Sequence, residues 1–351
     1  MHFLIISTSF LIGLASLSRL SRPIRLIQLS LLSLLLATGS AVVNYAMDYG
    51  SYERIYNRLS AFSFDPSRVF ERPELFFALI GYASNLTGLD YEHFRFIIAL
   101  IALAPLLVIL PRLTRFPELF VFWYIPKYYF VGVLSHIRSA IVYPFVLVSL
   151  WLISTGRSLW IFPLTVFGMF FHFSAALLPT LLIINKIKLF HLYCFALFAF
   201  ALLALGIYEI LTETLRSALP DDPVRGLHYF ITDPTESIDL LSLEYARRLG
   251  FLVLLGYLIY ANKLPTTLQQ LTAKTFLVSL ITYFLLADVR VLQERVAALF
   301  GVTEGLVLVH WLESERSKTS KHMVLIFIVA YTVLDFAGRL FLIERFPTFL
   351  L

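Results

Sequence analysis

Arginine, histidine and carboxylate side chains stand at a handful of places in an otherwise apolar chain. Asp48, Glu53, Arg54 and Arg58 follow an apolar run, either as the solvated face of a surface helix or as anion contacts. Arg72 and Glu74 precede a short apolar segment, where a first-turn acid is favoured by the helix dipole alone. Lys127-Tyr128-Tyr129 interrupts a hydrophobic stretch, with His136 and Arg138 close behind. Arg138 opens the next apolar run, and a cation at a helix N-terminus is not favoured by the dipole. It therefore calls for a tertiary partner or an anionic ligand. His172 lies in the middle of a long apolar run, and an ionisable side chain at that depth usually faces a cavity or a partner. Asp288, Arg290, Glu294 and Arg295 sit between two late apolar runs, where Arg290 and Glu294 can pair at a four-residue spacing. Asp221-Asp222 before Pro223 reads as a turn or cap rather than a cation site.

Arginine binds phosphate through a planar, permanently charged fork, and aromatic rings stack on sugar faces. This inventory suits a lipid pyrophosphate carrying a glycan. Glycine-rich phosphate loops, His-Glu-x-x-His and a convincing Gly-x-Ser-x-Gly are all missing.

The elements that must hold these residues are membrane helices. Of 351 residues, 59% are hydrophobic and 15% charged, and the mean hydropathy is +0.82. A water-soluble chain of this length cannot enclose that much apolar surface, which excludes a soluble enzyme, a disordered chain and a coiled coil. The lone Cys194 excludes a disulfide framework and a Cys metal site. A net charge of +5 spread over scattered Arg gives no support for nucleic-acid binding. The N-terminal apolar stretch has no Lys or Arg before it, so it reads as a first membrane helix rather than a cleaved signal.

A bilayer crossing needs about 20 mostly apolar residues. Ten runs qualify or nearly so: 3–17, 26–43, 94–110, 140–153, 159–184, 189–210, 249–261, 276–287, 296–311 and 323–343. Segments 74–86 and 119–134 are ambiguous and have the character of broken or re-entrant helices. The expectation is an all-α polytopic protein of about 10–12 transmembrane helices, one transmembrane domain over 1–351. Its polar segments 44–72 and 211–246 lie outside the membrane. Tyr49, Tyr52, Tyr56 and Leu59 recur at helical spacing and predict a short amphipathic helix at the membrane surface. Arg19, Arg22 and Arg25 mark a cytoplasmic loop. Twelve crossings place six of the seven Lys in the cytoplasm and leave the 21 Arg largely at the outer side. They also put Arg112, Arg115 and Arg157 outside, against the rule.

The motifs resemble those of a known family. Asp48-Tyr49-x-x-Tyr52, Glu74 opening an apolar helix, Ile137-Arg138-Ser139-Ala140 and His172-Phe173-Ser174-Ala175 follow the order and rough spacing of the EpsG family of bacterial exopolysaccharide and O-antigen synthesis, close to the Wzy polymerases. The resemblance runs from about residue 44 to 179. His136 stands where the family often has Asn, and Ser139 where it often has Gln.

The resemblance implies a type-C glycosyltransferase-like fold with short periplasmic helices. It implies an inner-membrane polymerase that moves a growing glycan from undecaprenyl pyrophosphate to a lipid-linked repeat unit on the periplasmic side. Partners are the lipid-linked donor and acceptor, the bilayer and a chain-length regulator protein, with no cofactor, metal or nucleic acid. Such a reaction needs cations for the departing pyrophosphate, with Arg138, Arg290 and Arg295 as candidates and Arg54 and Arg58 as outer contacts. A base for the attacking hydroxyl is His172 or Asp48, with Glu74 as an orienting acid. Tyr49, Tyr52, Tyr128, Tyr129 and His136 are the expected sugar contacts. Rival readings are a membrane O-acyltransferase for cell-surface glycan and a lipid-linked glycan flippase. An acyltransferase usually places a key His in its first helices, and a flippase tends to show internal repeats. Neither feature is present.

Overall fold

The computed structural model describes residues 22–42, 49–59, 74–134, 136–207, 243–287 and 290–345. Within them the chain is helical, with no strand. The expected span 3–17, together with Asp48, Arg72, Asp221, Asp222 and Asp288, lies outside the described residues, as does most of segment 211–246. Five described helices are long and apolar enough to cross a bilayer: Ile24–Val42, Tyr91–Leu113, Ile137–Ser154, Gln293–Ser314 and Lys318–Ala337. The pair Phe173–Lys186 and Leu189–Ala204, bent by 115°, makes a sixth if it is one broken span. Large apolar side chains such as Leu31, Val108, Phe198 and Ile326 stand exposed on these helices, as lipid-facing residues must.

The chain forms two units, Met1–Pro179 with Leu308–Leu351, and Thr180–Val307. In the first, α1 (Arg22–Val42), α2 (Tyr49–Leu59), α3 (Leu75–Leu86) and α4 (Tyr91–Leu113) come first. Next are α5 (Pro117–Tyr124), a π-helix (Ile125–Val133), α6 (Ile137–Ala140) and α7 (Tyr143–Ser154). A 3₁₀ turn (Ser158–Trp160) leads into α8 (Ile161–Met169), and a second 3₁₀ turn (Phe173–Leu177) follows. The C-terminal α15 (Lys318–Arg345) returns to this unit.

Helices α1 and α4 pack antiparallel. At one end Arg25 Nη1 donates to the Arg115 carbonyl at 3.2 Å, and Arg25 Nε lies 2.6 Å from Glu118 Oε1 in an ion pair too poorly aligned to be a hydrogen bond. Glu313 caps the same end, accepting from Thr114 Oγ1 and the Arg115 N–H, each at 2.6 Å, and facing His310 Nδ1 at 3.0 Å. At the other end the Tyr49 ring, seven residues past Val42, meets the Tyr91 ring edge-on at 5.0 Å.

Two points that the sequence left open follow from this packing. Because α1 leaves and α4 re-enters at the same end, α3 does not cross; at 12 residues it is also too short. The ambiguous segment 74–86 therefore stays on one face. Arg112 and Arg157 flank the Trp151 ring, at 4.8 and 5.6 Å from its centroid. Arg112, Arg115 and Arg157 thus share the end that holds Arg25, which removes the conflict that twelve crossings created. The second ambiguous segment runs from Glu118 at this basic end to Leu134 at the other as α5 and the π-helix. Pro126 sits at its π start, and the Tyr129 hydroxyl donates to the Leu36 carbonyl at 2.7 Å. π turns are rare and frequent at functional sites.

The amphipathic helix expected over 49–59 is present, with Tyr52, Tyr56 and Leu59 buried. Leu59 presses so closely on Gly81 of α3 that a side chain there would displace it. Tyr56 donates to the Leu89 carbonyl at 2.6 Å. Asp90 caps α4, accepting from the His93 N–H at 3.0 Å and facing its Nδ1 at 2.6 Å. Those contacts hold its carboxylate below the usual range. A depressed carboxylate stabilises the fold above its unfolded-state value, and the gain is lost as pH falls through the folded one. Acid destabilisation below about pH 4 is thus expected to be weaker in Asp90→Ala than in the parent, read as thermal unfolding in detergent at stepped pH.

The second unit holds α9 (Thr180–Lys186), α10 (Leu189–Ala204), α11 (Leu243–Tyr260), α12 (Thr267–Leu285), α13 (Arg290–Gly301) and the start of α14 (Glu304–Ser314). A reciprocal Thr266–Gln269 capping box starts α12. The buried Glu304 receives two bonds from Arg247 Nη1, at 2.8 and 2.9 Å. Arg247 and Arg248 also pair with Glu244, and the Arg248 guanidinium lies 3.4 Å over the Tyr283 ring.

Candidate functional site

The site-bearing residues of the first unit converge at the end opposite Arg25. Arg138, on the short α6, donates from Nη1 to Glu74 Oε2 and from Nε to the Tyr52 hydroxyl at 3.2 Å. Its guanidinium also lies 5.2 Å from the Tyr52 ring centroid. The side chains of Arg138 and Glu74 are 31% and 23% exposed, so the pair is reachable from outside. Nη2 makes no hydrogen bond among the described residues. Arg138 is thus fixed along two sides and open on the third. The partner demanded by its place at a helix start is Glu74, and it comes from the start of α3.

The start of α3 also receives the chain around His172. The apolar run 159–184 is not one helix: α8 ends at Met169, and His172 adopts an extended backbone, φ −159° and ψ 135°. Gly168 makes this break possible, because a Cβ there would lie 2.7 Å from Ala175 Cβ and 2.9 Å from the Phe145 ring. The Phe170 carbonyl exposed by the break accepts from the Phe76 N–H at 2.9 Å. The Phe76 ring packs on Phe167, Phe170 and Phe171, 5.0–5.5 Å between centroids. Residues two beyond Glu74 and two before His172 are therefore bonded directly.

His172 sits at a helix junction rather than in mid-helix, and its ring caps the following turn. Nδ1 accepts from the Ser174 N–H at 3.2 Å and lies 2.8 Å from Ser174 Oγ. A ring nitrogen that accepts a backbone N–H carries no proton, so the neutral imidazole holds its proton on Nε2. With Nδ1 engaged by its own backbone, the ring is set as a donor from Nε2 rather than as the expected base.

The other expected residues are placed unevenly. Tyr49 accompanies the site, its hydroxyl donating to Glu92 at 3.1 Å. Loss of hydration, then that bond, raises its phenol pKa. Tyr128 and Tyr129 are 2% and 0% exposed, packed against Trp123, Tyr124, Tyr143 and Phe130. As core aromatics they offer no face to a sugar, which corrects that expectation. Half-buried His136 caps α6, its carbonyl accepting from Ser139 Oγ at 3.0 Å. Arg54 is exposed and folds back on the Gly50 carbonyl and Ser51 Oγ, and Arg58 is exposed. Arg290 opens α13 and Arg295 is exposed on it, both in the second unit. Asp48 lies outside the described residues.

The sequence reading missed Arg95, Glu118, Glu313 and the Glu244–Arg247–Glu304 network. Arg95 carried a usable signal, since an Arg two residues into the apolar run 94–110 is expensive in hydrocarbon and marks function by default. Among the described residues, no three His, Cys, Asp or Glu side chains gather as a metal site would require.

No curated protein and no solved structure matches the chain. A family model described as the EpsG family matches residues 24–343, nearly the whole length, and takes in every element of the site. The chain belongs to the EpsG family, membrane proteins of polysaccharide-polymerase type.

Proposed function

We propose that the protein is a glycan polymerase of the bacterial inner membrane, transferring a growing chain from undecaprenyl pyrophosphate to a lipid-linked repeat unit on the periplasmic side. The observation that carries this reading is Arg138, braced by Glu74 and Tyr52 with its Nη2 edge open. An Arg held in this way suits a phosphate oxygen as a preorganised donor, which costs little reorganisation when charge develops. The sidedness draws on Arg25, Arg112, Arg115 and Arg157, which share the end away from Arg138. The positive-inside rule makes that end cytoplasmic and the site periplasmic.

In the reaction, the bond from the anomeric carbon of the donor to pyrophosphate breaks, and a bond to the acceptor hydroxyl forms. The hydroxyl proton passes to a general base, and the pyrophosphate departs with the electron pair. A single displacement inverts the anomeric centre. Arg138 takes the growing charge. His172, protonated on Nε2, donates a hydrogen bond to a substrate oxygen. Tyr49 supplies the aromatic surface for sugar, whereas Tyr52, expected as a sugar contact, is buried and braces Arg138 instead. Asp48 remains the candidate base, and Arg54 and Arg58 the outer contacts.

Purified protein in proteoliposomes, supplied with labelled lipid-linked repeat units, is expected to lengthen the glycan. Acetyl incorporation or bare translocation without lengthening would overturn the reading.

A further inference from the structure

We infer that Arg95 is a positioning residue of this site, acting through the two segments that aim Arg138. The inference uses the proposed reaction only for its kinetic readout.

Arg95 lies on the second turn of α4, is 1% exposed, and is the largest fully buried side chain among the described residues. A guanidinium in such surroundings costs several kcal/mol unless its contacts compensate. Those contacts are specific. Nη2 donates to the Leu134 carbonyl at 3.3 Å. The guanidinium lies 4.8 Å from the Tyr49 ring centroid and 5.8 Å from that of Tyr91.

Two of these contacts reach segments the site depends on. Leu134 caps the C-terminal end of the π-helix, four residues before Arg138. Tyr49 begins α2, three residues before Tyr52, whose hydroxyl accepts from Arg138. Arg95 thus holds the chain that carries Arg138 and the helix that carries one of its two braces. α4 is a long crossing helix anchored at its far end by Arg115 and Glu313, so the grip is made from a rigid support. The planar fork lets Arg95 stack on rings and bond a carbonyl together, which a lysine ammonium does less well.

The test uses the full-length protein with Ser139→Cys, placing a thiol beside Arg138, while exposed Cys194 in the other unit is a native reference. Labelling of both thiols is followed by peptide mass spectrometry, and polymerisation is measured in the Ser139 background. Arg95→Gln is expected to speed labelling at position 139 severalfold with Cys194 unchanged. It is expected to lower kcat by about 10²-fold, as a misplacement of roughly 1 Å does, with KM changing less. Arg95→Lys is expected to recover part of both readouts, and it serves alone if the Gln variant does not accumulate. Unchanged labelling at position 139 overturns the inference, as does equal acceleration of both thiols, which marks general loosening. A shift in labelling alongside a parent protein that never polymerises sinks the proposed reaction and leaves the positioning role standing.

Discussion

Arg138→Ala is expected to lower the polymerisation rate by about 10²–10³-fold, the usual cost of removing one preorganised donor from developing negative charge. The protein should still insert and elute as a single species, because the Glu74 left behind is partly exposed and remains solvated. Arg138→Lys keeps the charge but loses the fork that spans Glu74 and Tyr52, so it should fall between the two. Glu74→Gln should also slow the reaction by loosening the brace. The double variant should be no slower than Arg138→Ala alone, since the two side chains act as one unit. Single-turnover rates in proteoliposomes decide this. Additive losses would mean that Glu74 acts independently of Arg138, and a fully active Arg138→Ala would remove the site.

Substitutions at His172 should separate its two nitrogens. Gln places an amide N–H near the position of Nε2, whereas Asn places an oxygen near that of Nδ1. His172→Gln should retain much of the activity and lose some thermal stability with the Ser174 cap. His172→Asn should keep the cap and lose about 10²-fold in rate. The two orders therefore cross: Gln above Asn for activity, Asn above Gln for stability. A general base would behave differently, with Gln as inactive as Asn and an acid limb in the rate–pH profile of the parent. An inactive Gln variant with the stability of the parent would rule out the donor role.

Part of this arrangement is legible in the sequence. The helix-start position of Arg138 demanded a partner, and Glu74 supplies it. Tyr52 and Tyr56 fell on the apolar face of a short helix, and they are buried there. The α-helical class followed from hydropathy, because backbone groups in lipid must be satisfied within the segment. What stayed hidden depends on contacts distant in sequence. Thr114 and Glu313 are 199 residues apart and Arg25 and Arg115 are 90, yet these pairs gather the start of α1, the end of α4 and Glu313 at one end of the first unit. Hydropathy counted 159–184 as one run because Gly168 and His172 barely lower its average, whereas the crowding around Gly168 decides the break. Tyr128 and Tyr129 have the same composition signal as sugar-stacking residues, and only packing separates the two uses.

The Glu74–Arg138 pair also bears on how the protein is made. A ribosome delivers Glu74 64 residues ahead of Arg138, so the acid is in place before the base emerges. Arg138 then opens a crossing helix, Ile137–Ser154, where an uncompensated guanidinium resists integration into the membrane. On this order the carboxylate that aims the cation is also available as its counter-charge when the helix enters the bilayer.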